Sequence, residues 1–311
     1  MGYVWATPPT PPALLDPSGA WFFNWVIPVA GSVVIALAVY DSIRRRRLTW
    51  GFLFLFNSML VYWMETIGDW GQELIYSPTF WTHHALEWLP LKTPNDPVFM
   101  PFAYAVYWTV HAVVVLWLGQ LLARRFGWSM LKAVAILAIP VNYGWDLLVE
   151  GTAAAMGWWT YDPGMGPVLT FGNGGRFTLL WTVGLMCFWP NLIAYWAGKP
   201  PVRGLNHFER FFALDRFTRP KSPAVEGVSG AEPPPPSAST TVATLARQGQ
   251  RSKQQQYDDL LDYEVIIPRW KFELARFGAW FVVFQISFFV LLDVPLVVMR
   301  VVTGNDSIYV P

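Results

Sequence analysis

The sequence has few of the residues on which disulfide-bonded, metal-bound and nucleic-acid-binding folds depend. It contains one cysteine, Cys187, and four histidines among 311 residues. One cysteine excludes an internal disulfide and a cysteine-based zinc cage. Only 14% of the residues are charged, whereas soluble domains have about a quarter, and the formal net charge is +1. A nearly neutral chain of this kind gives no electrostatic reason to expect nucleic acid as a partner.

Apolar and aromatic residues take the place of the missing charge. Hydrophobic types make up 54% of the chain, and tryptophan occurs 19 times. Tryptophan is enriched where a protein crosses the membrane–water interface. The composition therefore predicts a multi-pass protein of the cell membrane, with the bacterial plasma membrane as its expected location and the lipid bilayer as its surroundings. It does not indicate an oligomeric state.

Six apolar stretches are long enough to cross the hydrocarbon core as helices, which takes about 20 residues each. They predict an all-α, polytopic membrane helical bundle with both termini on one side. Positive residues concentrate in cytoplasmic loops. With Arg44 to Arg47 inside, every Lys and Arg except Lys92, Arg176 and Arg300 falls on the cytoplasmic side, so we expect an N-out, C-out orientation. The predicted spans are 21–40, 50–68, 99–122, 130–157, 177–198 and 275–299.

Composition also divides the chain into segments. Within 204–217, apolar residues recur at helical spacing beside arginines, which predicts an interfacial amphipathic helix. Residues 221–256 are rich in Pro, Ser, Thr and Gln and predict a disordered linker, and 257–264 are expected to form a short helix. The segments are an extracytoplasmic N-terminal tail (1–20), a five-helix transmembrane core (21–199), the cytoplasmic helix and linker (200–262), and the sixth transmembrane helix with an outer tail (263–311).

Polar side chains form stripes on two of the predicted spans. The fourth span carries Asn142, Asp146 and Glu150, and the second carries Glu65 and Asp69, each four residues from the next. Residues four apart lie on one face of a helix. Acids inside a span are costly, and they usually face the bundle interior at functional sites. We therefore expect the two stripes to share a polar pocket in the outer half of the bundle, open either to the outer side or to the outer leaflet.

Helical rise places several of these groups at similar depth. At about 1.5 Å per residue, Glu65 lies about 22 Å, Asp146 about 24 Å and Asp293 about 27 Å from the inner ends of their spans. His111, on the third span, lies about 18 Å below the outer face by the same count. Asp69 and the neighbouring Glu73 are expected nearer the water.

Paired carboxyl groups in such a pocket suit acid–base chemistry. A carboxyl group in a water-poor cavity can stay protonated and act as a general acid, while a second carboxylate acts as a base or stabilises a cation. We interpret Asp146 as the general acid and Glu65 as its partner, with Glu150 and Asp69 orienting or tuning them. The alternative is that the acids are structural, and that Asp69, Glu73 and Glu150 mark helix ends in the headgroup region.

Aromatic and polar residues near the stripes are candidates for holding the substrate. Tryptophan rings can hold a lipophilic molecule or a developing cation by cation–π attraction. We interpret the substrate-binding set as Trp63, Trp70, His111, Asn142, Trp145, Trp158, Trp159, Tyr161, Arg176 and Asp293.

Metal binding is the rival use of the same acids, because two Glu/Asp pairs and His111 could hold Mg²⁺. The His-rich boxes of membrane di-iron enzymes and the aspartate-rich motifs of membrane prenyltransferases do not occur in the sequence. We therefore expect neither a metal nor another cofactor. The glycine-rich run from Gly172 to Gly175 follows no nucleotide-binding strand and is interpreted as an outer turn.

Two blocks of the sequence resemble a known family. Glu65-Thr66-Ile67-Gly68-Asp69-Trp70 with Tyr76-Ser77-Pro78, and Asp146 to Glu150 with Gly157-Trp158-Trp159-Thr160-Tyr161, are similar to blocks of the spirocyclase AveC-like membrane proteins of actinobacteria. The resemblance covers about residues 20–215 and the last span, and residues 218–256 have no counterpart in it. It implies an acid-assisted spiroketal cyclisation or dehydration in polyketide biosynthesis. Membrane terpenoid cyclases and carotenoid hydratases are an alternative resemblance.

The sequence thus predicts an integral membrane enzyme of the cyclase or hydratase type, an isomerase or lyase. Intramembrane carboxylates would act on a lipophilic polyketide, terpenoid or lipid, without a redox cofactor. The alternative is a non-catalytic membrane protein, either a lipophile-binding factor or a small transporter. An enzyme should lose activity on Asp146→Asn with its fold retained, whereas a transporter should show flux that depends on the proton gradient.

Overall fold

A computed structural model describes residues 9–15, 17–179, 188–198, 205–220, 263–304 and 307–311. This part of the chain is mostly helical, and four of its helices are long and apolar enough to cross a membrane. They correspond to the first, third, fourth and sixth predicted spans and support a membrane protein. The four helices are Phe22–Arg44, Met100–Phe126, Met130–Met156 and Arg269–Thr303.

Shorter segments complete the helical part of the described chain, including two short 3₁₀ helices, Pro12–Leu14 and Leu214–Phe217. The α-helices, numbered in chain order, are α1 (Ile27–Arg44), α2 (Trp50–Leu60), α3 (Tyr62–Gly71), α4 (Met100–Phe126), α5 (Met130–Leu137), α6 (Gly144–Met156), α7 (Trp189–Gly198), α8 (His207–Phe211), α9 (Arg269–Phe288) and α10 (Val294–Thr303).

Three of the long helices contain a wide π-helical turn. These turns are Phe22–Val26, Ala138–Tyr143 and Phe289–Asp293. A proline lies in or just after each: Pro28, Pro140 and Pro295. Proline has no backbone N–H and its ring clashes with the preceding turn, so a regular α-helix cannot run through it. The wide turns carry each helix past its proline without ending it.

The second and fifth predicted spans differ from their predictions. The second is divided at Val61 into α2 and α3, and neither part has the length of a span. The fifth was predicted to begin at Phe177, but Arg176–Thr178 is a β-strand and the described helix is only α7. Residues 180–187 lie outside the described part of the chain. The backbone at Phe177 is extended because its strand is hydrogen-bonded to Val168–Thr170.

Short strands also modify the all-α prediction. They are β1 (Leu74–Tyr76), β2 (Thr82–His83), β3 (Asp96–Pro97), β4 (Trp159–Tyr161), β5 (Val168–Thr170), β6 (Arg176–Thr178), β7 (Thr218–Pro220) and β8 (Tyr263–Val265). They form antiparallel pairs: β1 with β4, β2 with β3, β5 with β6, and β7 with β8. The glycine-rich run at 172–175 lies in the turn that joins β5 to β6.

The pair of β1 and β4, called the cap below, joins the ends of the two acid-bearing helices. β1 follows α3 after two residues, and β4 follows α6 after Gly157 and Trp158. In the register of the pair, Tyr76 lies opposite Trp159 and Leu74 opposite Tyr161. Gly157 makes the turn into β4 with φ +71°, and a Cβ there would lie 2.5 Å from the carbonyl oxygen of Ala13. Glycine is therefore required at this junction.

Both tails of the described chain pack on the cap. Leu14, Ile75 and Val310 form a buried apolar cluster, and the Ser77 hydroxyl donates to the Leu14 carbonyl at 3.0 Å. The segment near Leu14 was predicted as a short extramembrane tail, and it packs on the cap through these contacts.

The C-terminal tail is held by Arg300. Its guanidinium donates to the Trp70 carbonyl at 2.5 Å and to the Val310 carbonyl, and it lies 4.0 Å from the centre of the Trp70 ring. Glu73 lies 3.8 Å from it and is fully buried. Glu73 was predicted near the water, but the positive charge of Arg300 offsets the cost of burying its carboxyl group.

The chain divides into two compact units, Met1–Gly198 with Trp280–Pro311 and Lys199–Ala279. The first unit contains the cap and the acid-bearing helices. Its described core is aromatic: Trp189 stands at right angles to Phe284 and Phe288, and Phe54 packs on Phe284. Edge-to-face ring pairs of this kind add to the free energy gained by burial.

In the second unit, the predicted interfacial helix is a short α8 followed by a 3₁₀ turn, Leu214–Phe217. Asn206 and Glu209 form a capping box at the start of α8. Phe208 and Leu205 are buried, the latter in a cluster with Phe272. These two side chains pack inside the unit, whereas Phe211 of α8 is 75% exposed.

Two further predictions concern the sequence around this unit. The prediction of a helix at 257–264 is wrong for the residues that the structure describes, because Tyr263–Val265 is a strand paired with Thr218–Pro220. The linker predicted at 221–256 lies outside the described residues.

Candidate functional site

A cavity of about 470 Å³ in the first unit brings together the predicted stripes. Glu65 from α3, and Asp146 and Glu150 from α6, line it. Asn142 and His111 line it as well. Its volume is that of sites for small organic ligands, which bury most of their ligand among apolar groups and fix it with a few polar ones.

Glu65 and Asp69 lie one turn apart on the same face of α3. Asp69 is only 1% exposed. Its oxygens accept hydrogen bonds from the Tyr76 hydroxyl at 2.9 Å and from Gln72 Nε2 at 3.2 Å. Asp69 was predicted nearer the water, but the cap covers it. It does not line the cavity itself.

Asp146 lies on α6 and is buried. Its Oδ1 accepts a 2.7 Å hydrogen bond from the hydroxyl of Tyr107, which is on α4. Tyr107 also lines the cavity. The bond fixes the position of the carboxyl group at the boundary between the two helices.

Glu150 is held by the other strand of the cap. Its Oε2 accepts hydrogen bonds from Trp159 Nε1 at 2.5 Å and from the Tyr161 hydroxyl at 2.6 Å. Both donors lie on β4, where side chains two residues apart point to the same face. Trp159 and Tyr161 also line the cavity. Glu150 is therefore held by two hydrogen bonds from the cap, a contact that its interpretation as a helix end did not include.

The cap tyrosines remain hydrogen-bond donors. Burial raises the pKa of the Tyr76 hydroxyl well above its usual value, and the nearby Asp69 raises it further. Burial likewise raises the pKa of Tyr161, with Glu150 as the next cause. A phenol with a raised pKa keeps its proton at neutral pH and can donate to a carboxyl group. The cap therefore supplies two O–H donors to the acids without adding charge.

The far part of the cavity is less acidic. His111 is buried and its Nε2 lies 3.2 Å from the side-chain oxygen of Asn191, whose amide nitrogen donates to the Val134 carbonyl at 2.7 Å. Asn142 lies in the wide turn before α6 and is also buried. The His111–Asn191 contact ties α4 to α7 at the side of the cavity.

Several predicted substrate-binding residues lie elsewhere. Trp63 donates to Gln285, Trp70 donates to the Pro311 carbonyl, and Trp158 donates to the Ser18 carbonyl. Arg176 forms an ion pair with Asp162 at 3.2 Å. None of these four side chains lines the cavity, because each is committed to a tail, a turn or a helix contact. Trp145, Trp159 and Tyr161 do line it.

Asp293 does not line this cavity. It is fully buried next to Gly68 of α3, and it borders a second cavity of about 200 Å³ whose other lining residues are apolar. Within the described chain, neither of its carboxyl oxygens has a hydrogen-bond partner. The shared depth of Glu65, Asp146 and Asp293 therefore does not place all three in one site.

The sequence indicated no role for Tyr107, Gln72 or Tyr104, which also line the cavity. One signal was present: Tyr107 precedes His111 by four residues, so the two form a polar pair on one face of α4. Within the described residues, no three His, Cys, Asp or Glu side chains are grouped closely enough to hold a metal ion. Asp69, Asp146 and Glu150 are paired with hydrogen-bond donors.

Comparisons of the chain with protein-family models, with curated proteins and with solved structures gave no match. The geometry of the cavity is therefore the basis for inferring function.

Proposed function

We propose that this chain is an integral membrane enzyme that uses carboxyl groups for acid–base cyclisation, hydration or dehydration of a lipophilic small molecule. The reaction class includes closure of a spiroketal or of another cyclic ether. It involves no change in oxidation state, so it requires no redox cofactor.

One observation carries the proposal: Glu65, Asp146 and Glu150 line one largely apolar cavity from two helices, and Asp146 and Glu150 each accept hydrogen bonds from aromatic side chains. Buried acids cost stability unless they are paired. Keeping three at one ligand-sized cavity favours a role in chemistry. Pairs of carboxyl groups in different environments can divide the roles of acid and base.

The neighbouring acids Glu65 and Asp69 support one part of this division. Two buried carboxyl groups one helical turn apart favour holding a proton, because two negative charges close together repel. Tyr76 and Gln72 donate to Asp69, which favours the negative charge on Asp69 and the proton on Glu65. The pair can exchange a proton with a substrate through Glu65, which faces the cavity.

Asp146 and Glu65 would act in sequence during a dehydrative ring closure. Asp146 gives a proton to a hydroxyl group of the substrate, which leaves as water, and the remaining centre becomes a stabilised cation. A second hydroxyl oxygen of the substrate adds to that centre and loses its proton to the Glu65–Asp69 pair, which returns a proton to Asp146 before the next turnover. One C–O bond breaks, one forms and one water is released. The reverse sequence hydrates the product.

Aromatic rings of the cavity wall suit such a cationic species. Tyr104, Trp108 and Trp145 line the cavity beside Tyr107. The face of an aromatic ring attracts a cation, and the attraction increases when water is excluded. The similarity of the Glu65–Trp70 and Asp146–Tyr161 blocks to spirocyclase AveC-like proteins favours the same reaction class.

Six membrane spans with both termini outside form part of the proposal. In this arrangement α2 with α3 is the second span, and the segment that ends in α7 is the fifth. The positive residues of the sequence support it, because nearly all would lie in the cytoplasm. The cap then lies at the outer surface of the plasma membrane.

The decisive experiment compares metabolites in cells that lack the protein with those in cells that carry Asp146→Asn or Glu65→Gln. Both changes keep the shape of the side chain but remove its capacity to transfer a proton. We expect the product to disappear and its uncyclised or unhydrated precursor to accumulate, with normal amounts of protein in the membrane. Glu87→Gln, at an exposed position outside the cavity, is the matched control. Unchanged product with both variants would refute the proposal.

The alternative, a lipophile carrier or transporter, predicts a different result. A carrier retains its ligand when Asp146 becomes asparagine, and the same chemical species is recovered before and after binding. Flux that follows the proton gradient, with no new product, would favour a transporter.

A further inference from the structure

The two ends of the cavity differ in their access to the surroundings. We infer that a substrate enters it sideways, from the hydrocarbon of the bilayer, between α1, α4 and α6. We also infer its chemical class: an uncharged amphiphile whose oxygen-bearing polar end meets the carboxyl groups while its apolar chain extends to the opening. The identity of the reacting end rests on the proposed function, but the route and the class do not.

The end of the cavity nearest the cap is closed. Phe23, Phe99, Tyr76 and Trp159 line it there, and all four are buried. Phe23 packs within 6 Å of the rings of Phe99 and Trp159, and Tyr76 is in ring contact with Trp159. Leu14 packs on the cap through Ile75 and accepts a hydrogen bond from Ser77. A solute in the outer water would have to displace this packed layer.

The opposite wall is open. Ala30 of α1, Val110 and Val114 of α4, and Trp145 of α6 all line the cavity and are all exposed. Val110 is 50% exposed and Trp145 44% exposed. All four lie on helices that are long and apolar enough to cross a membrane. In a bilayer these positions face lipid chains, so the opening leads to hydrocarbon.

The cavity also has a direction. Along α4 its lining runs from Met100 to Val114, which corresponds to about 21 Å of helix. Glu65 and Glu150 lie toward the cap, whereas Val110 and Val114 lie toward the other end. A ligand that satisfies both parts has a compact polar end and a longer apolar part. A molecule that is polar along its whole length would leave buried polar groups unpaired on the apolar wall.

Charge selects against anions. Among the described residues that line the cavity there are three carboxylic acids and no Lys or Arg. An ionised carboxylate or phosphate would meet like charge in a low-dielectric space. Hydroxyl, ether and carbonyl groups can instead hydrogen-bond to a protonated or ionised carboxyl group. The cavity therefore favours alcohols, ketals and ketones with an apolar chain over fatty acids and phospholipids.

The experiment uses two photoreactive probes of equal chain length, an alkyl-diazirine alcohol and the corresponding carboxylate. The full-length protein is reconstituted in phosphatidylcholine vesicles, irradiated and mapped by mass spectrometry. We expect the alcohol to label peptides that contain Glu65, Asp146 or Glu150. The carboxylate should label them at least about tenfold less, a difference of about 1.4 kcal/mol. Equal labelling by the two probes would refute the inferred class.

A matched pair of variants tests the route. Val110→Trp places a large ring in the opening, whereas Val113→Trp places the same ring on the same helix at a position that is 52% exposed but does not line the cavity. We expect Val110→Trp to reduce alcohol labelling about tenfold, and Val113→Trp to leave it unchanged. Val114→Trp provides a second block at the opening. A monodisperse elution profile confirms folding of each variant.

The outcomes separate this inference from the proposed function. Labelling that is lost on Val110→Trp, with no product in any assay, would support lateral entry and refute the enzyme. Normal product formation with Val110→Trp and with Val114→Trp would refute lateral entry and leave the enzyme intact. Equal labelling of the Val110→Trp and Val113→Trp variants would also refute lateral entry.

Discussion

Tyr76 and Trp159 lie directly opposite each other in the antiparallel pair of β1 and β4, and each donates a hydrogen bond to a different acid: Tyr76 to Asp69 and Trp159 to Glu150. One short ladder of backbone hydrogen bonds therefore sets the positions of carboxyl groups on α3 and α6. The two helices are far apart in the sequence, and the cap is where their acid-bearing ends are tied together.

Removing the hydroxyl of Tyr107 should lower activity without unfolding the protein. Tyr107→Phe deletes the donor to Asp146 and leaves the ring in place. Hydrogen bonds to charged or ionisable groups contribute about 1.5–3 kcal/mol, so we expect kcat to fall by roughly 10- to 100-fold. Tyr40→Phe, at a position that is 62% exposed, is the control. Equal activity of Tyr107→Phe and wild type, measured in vesicles with the identified substrate, would argue against Asp146 as the acid.

Gly71→Ala should destabilise the first unit. A Cβ at Gly71 would lie 2.8 Å from Leu296 Cβ and 2.9 Å from the backbone carbon of Leu296, so α3 and α10 would have to separate. Overpacking of this kind costs about 1–3 kcal/mol. Gly51→Ala is the matched control, because nothing lies within 4 Å of its added Cβ and alanine favours a helix. Thermal unfolding in detergent checks both, and a melting temperature unchanged by Gly71→Ala would contradict the close packing.

Glu73 and Arg300 should behave as a coupled pair. Both are buried, and the guanidinium also supports the Trp70 and Val310 carbonyl groups. Removing one partner of a buried ion pair costs about 3–5 kcal/mol, because the other charge stays buried. Glu73→Gln and Arg300→Met should each lower the melting temperature, and the double variant should lose less than the sum of the two. Additive losses would mean that the two groups do not interact.

Asp293→Leu should stabilise the protein. The carboxyl group of Asp293 is fully buried, and both oxygens lack a hydrogen-bond partner within the described residues. An unsatisfied buried polar group costs about 1–3 kcal/mol, which an apolar side chain of similar size would recover. The measurement is the melting temperature of the purified variant in detergent, with Asp293→Asn as the isosteric comparison. A lower melting temperature for the leucine variant would show that the carboxyl group makes a stabilising contact.

The proposed six-span topology predicts the sides of three positions. Reporter fusions at Ala20 and Pro311 should report the outer side, and a fusion at Ser237 should report the cytoplasm, because positive residues favour cytoplasmic loops. Paired reporters, one active on each side, give a signal at every position. A cytoplasmic signal at Ala20 or Pro311 would overturn the topology.

Helical periodicity accounts for the part of the site that the sequence predicted. The spacing of Asp146 and Glu150, and of Glu65 and Asp69, placed each pair on one helix face, and three of these four acids line the cavity. The cap was not predictable, because three-residue strands such as β1 show no alternation that distinguishes them from a loop.

Contacts between distant segments were also beyond sequence reasoning. Arg300 was counted as an outer charge, yet it lies beside Glu73, some 230 residues away in the chain. Trp70 was assigned to the substrate, but its ring lies against Arg300. Composition and spacing predict the face of a helix on which a side chain lies. They do not predict which distant segment of the chain packs against that face.

The wide turn at Ala138–Tyr143 has a consequence for how the chain tolerates insertions and deletions. Each residue advances an α-helix by about 100°, and a π turn accommodates one residue more than an α turn. The wide turn therefore absorbs one residue without changing the phase of α6, so loss of one residue there would restore a regular helix and leave Asp146 and Glu150 facing the cavity. A regular helix through all of the same residues would instead rotate α6 by about 100°, and both acids would leave the cavity. The rotational phase of the acid stripe thus depends on how the turn near Pro140, which also carries Asn142, accommodates one surplus residue.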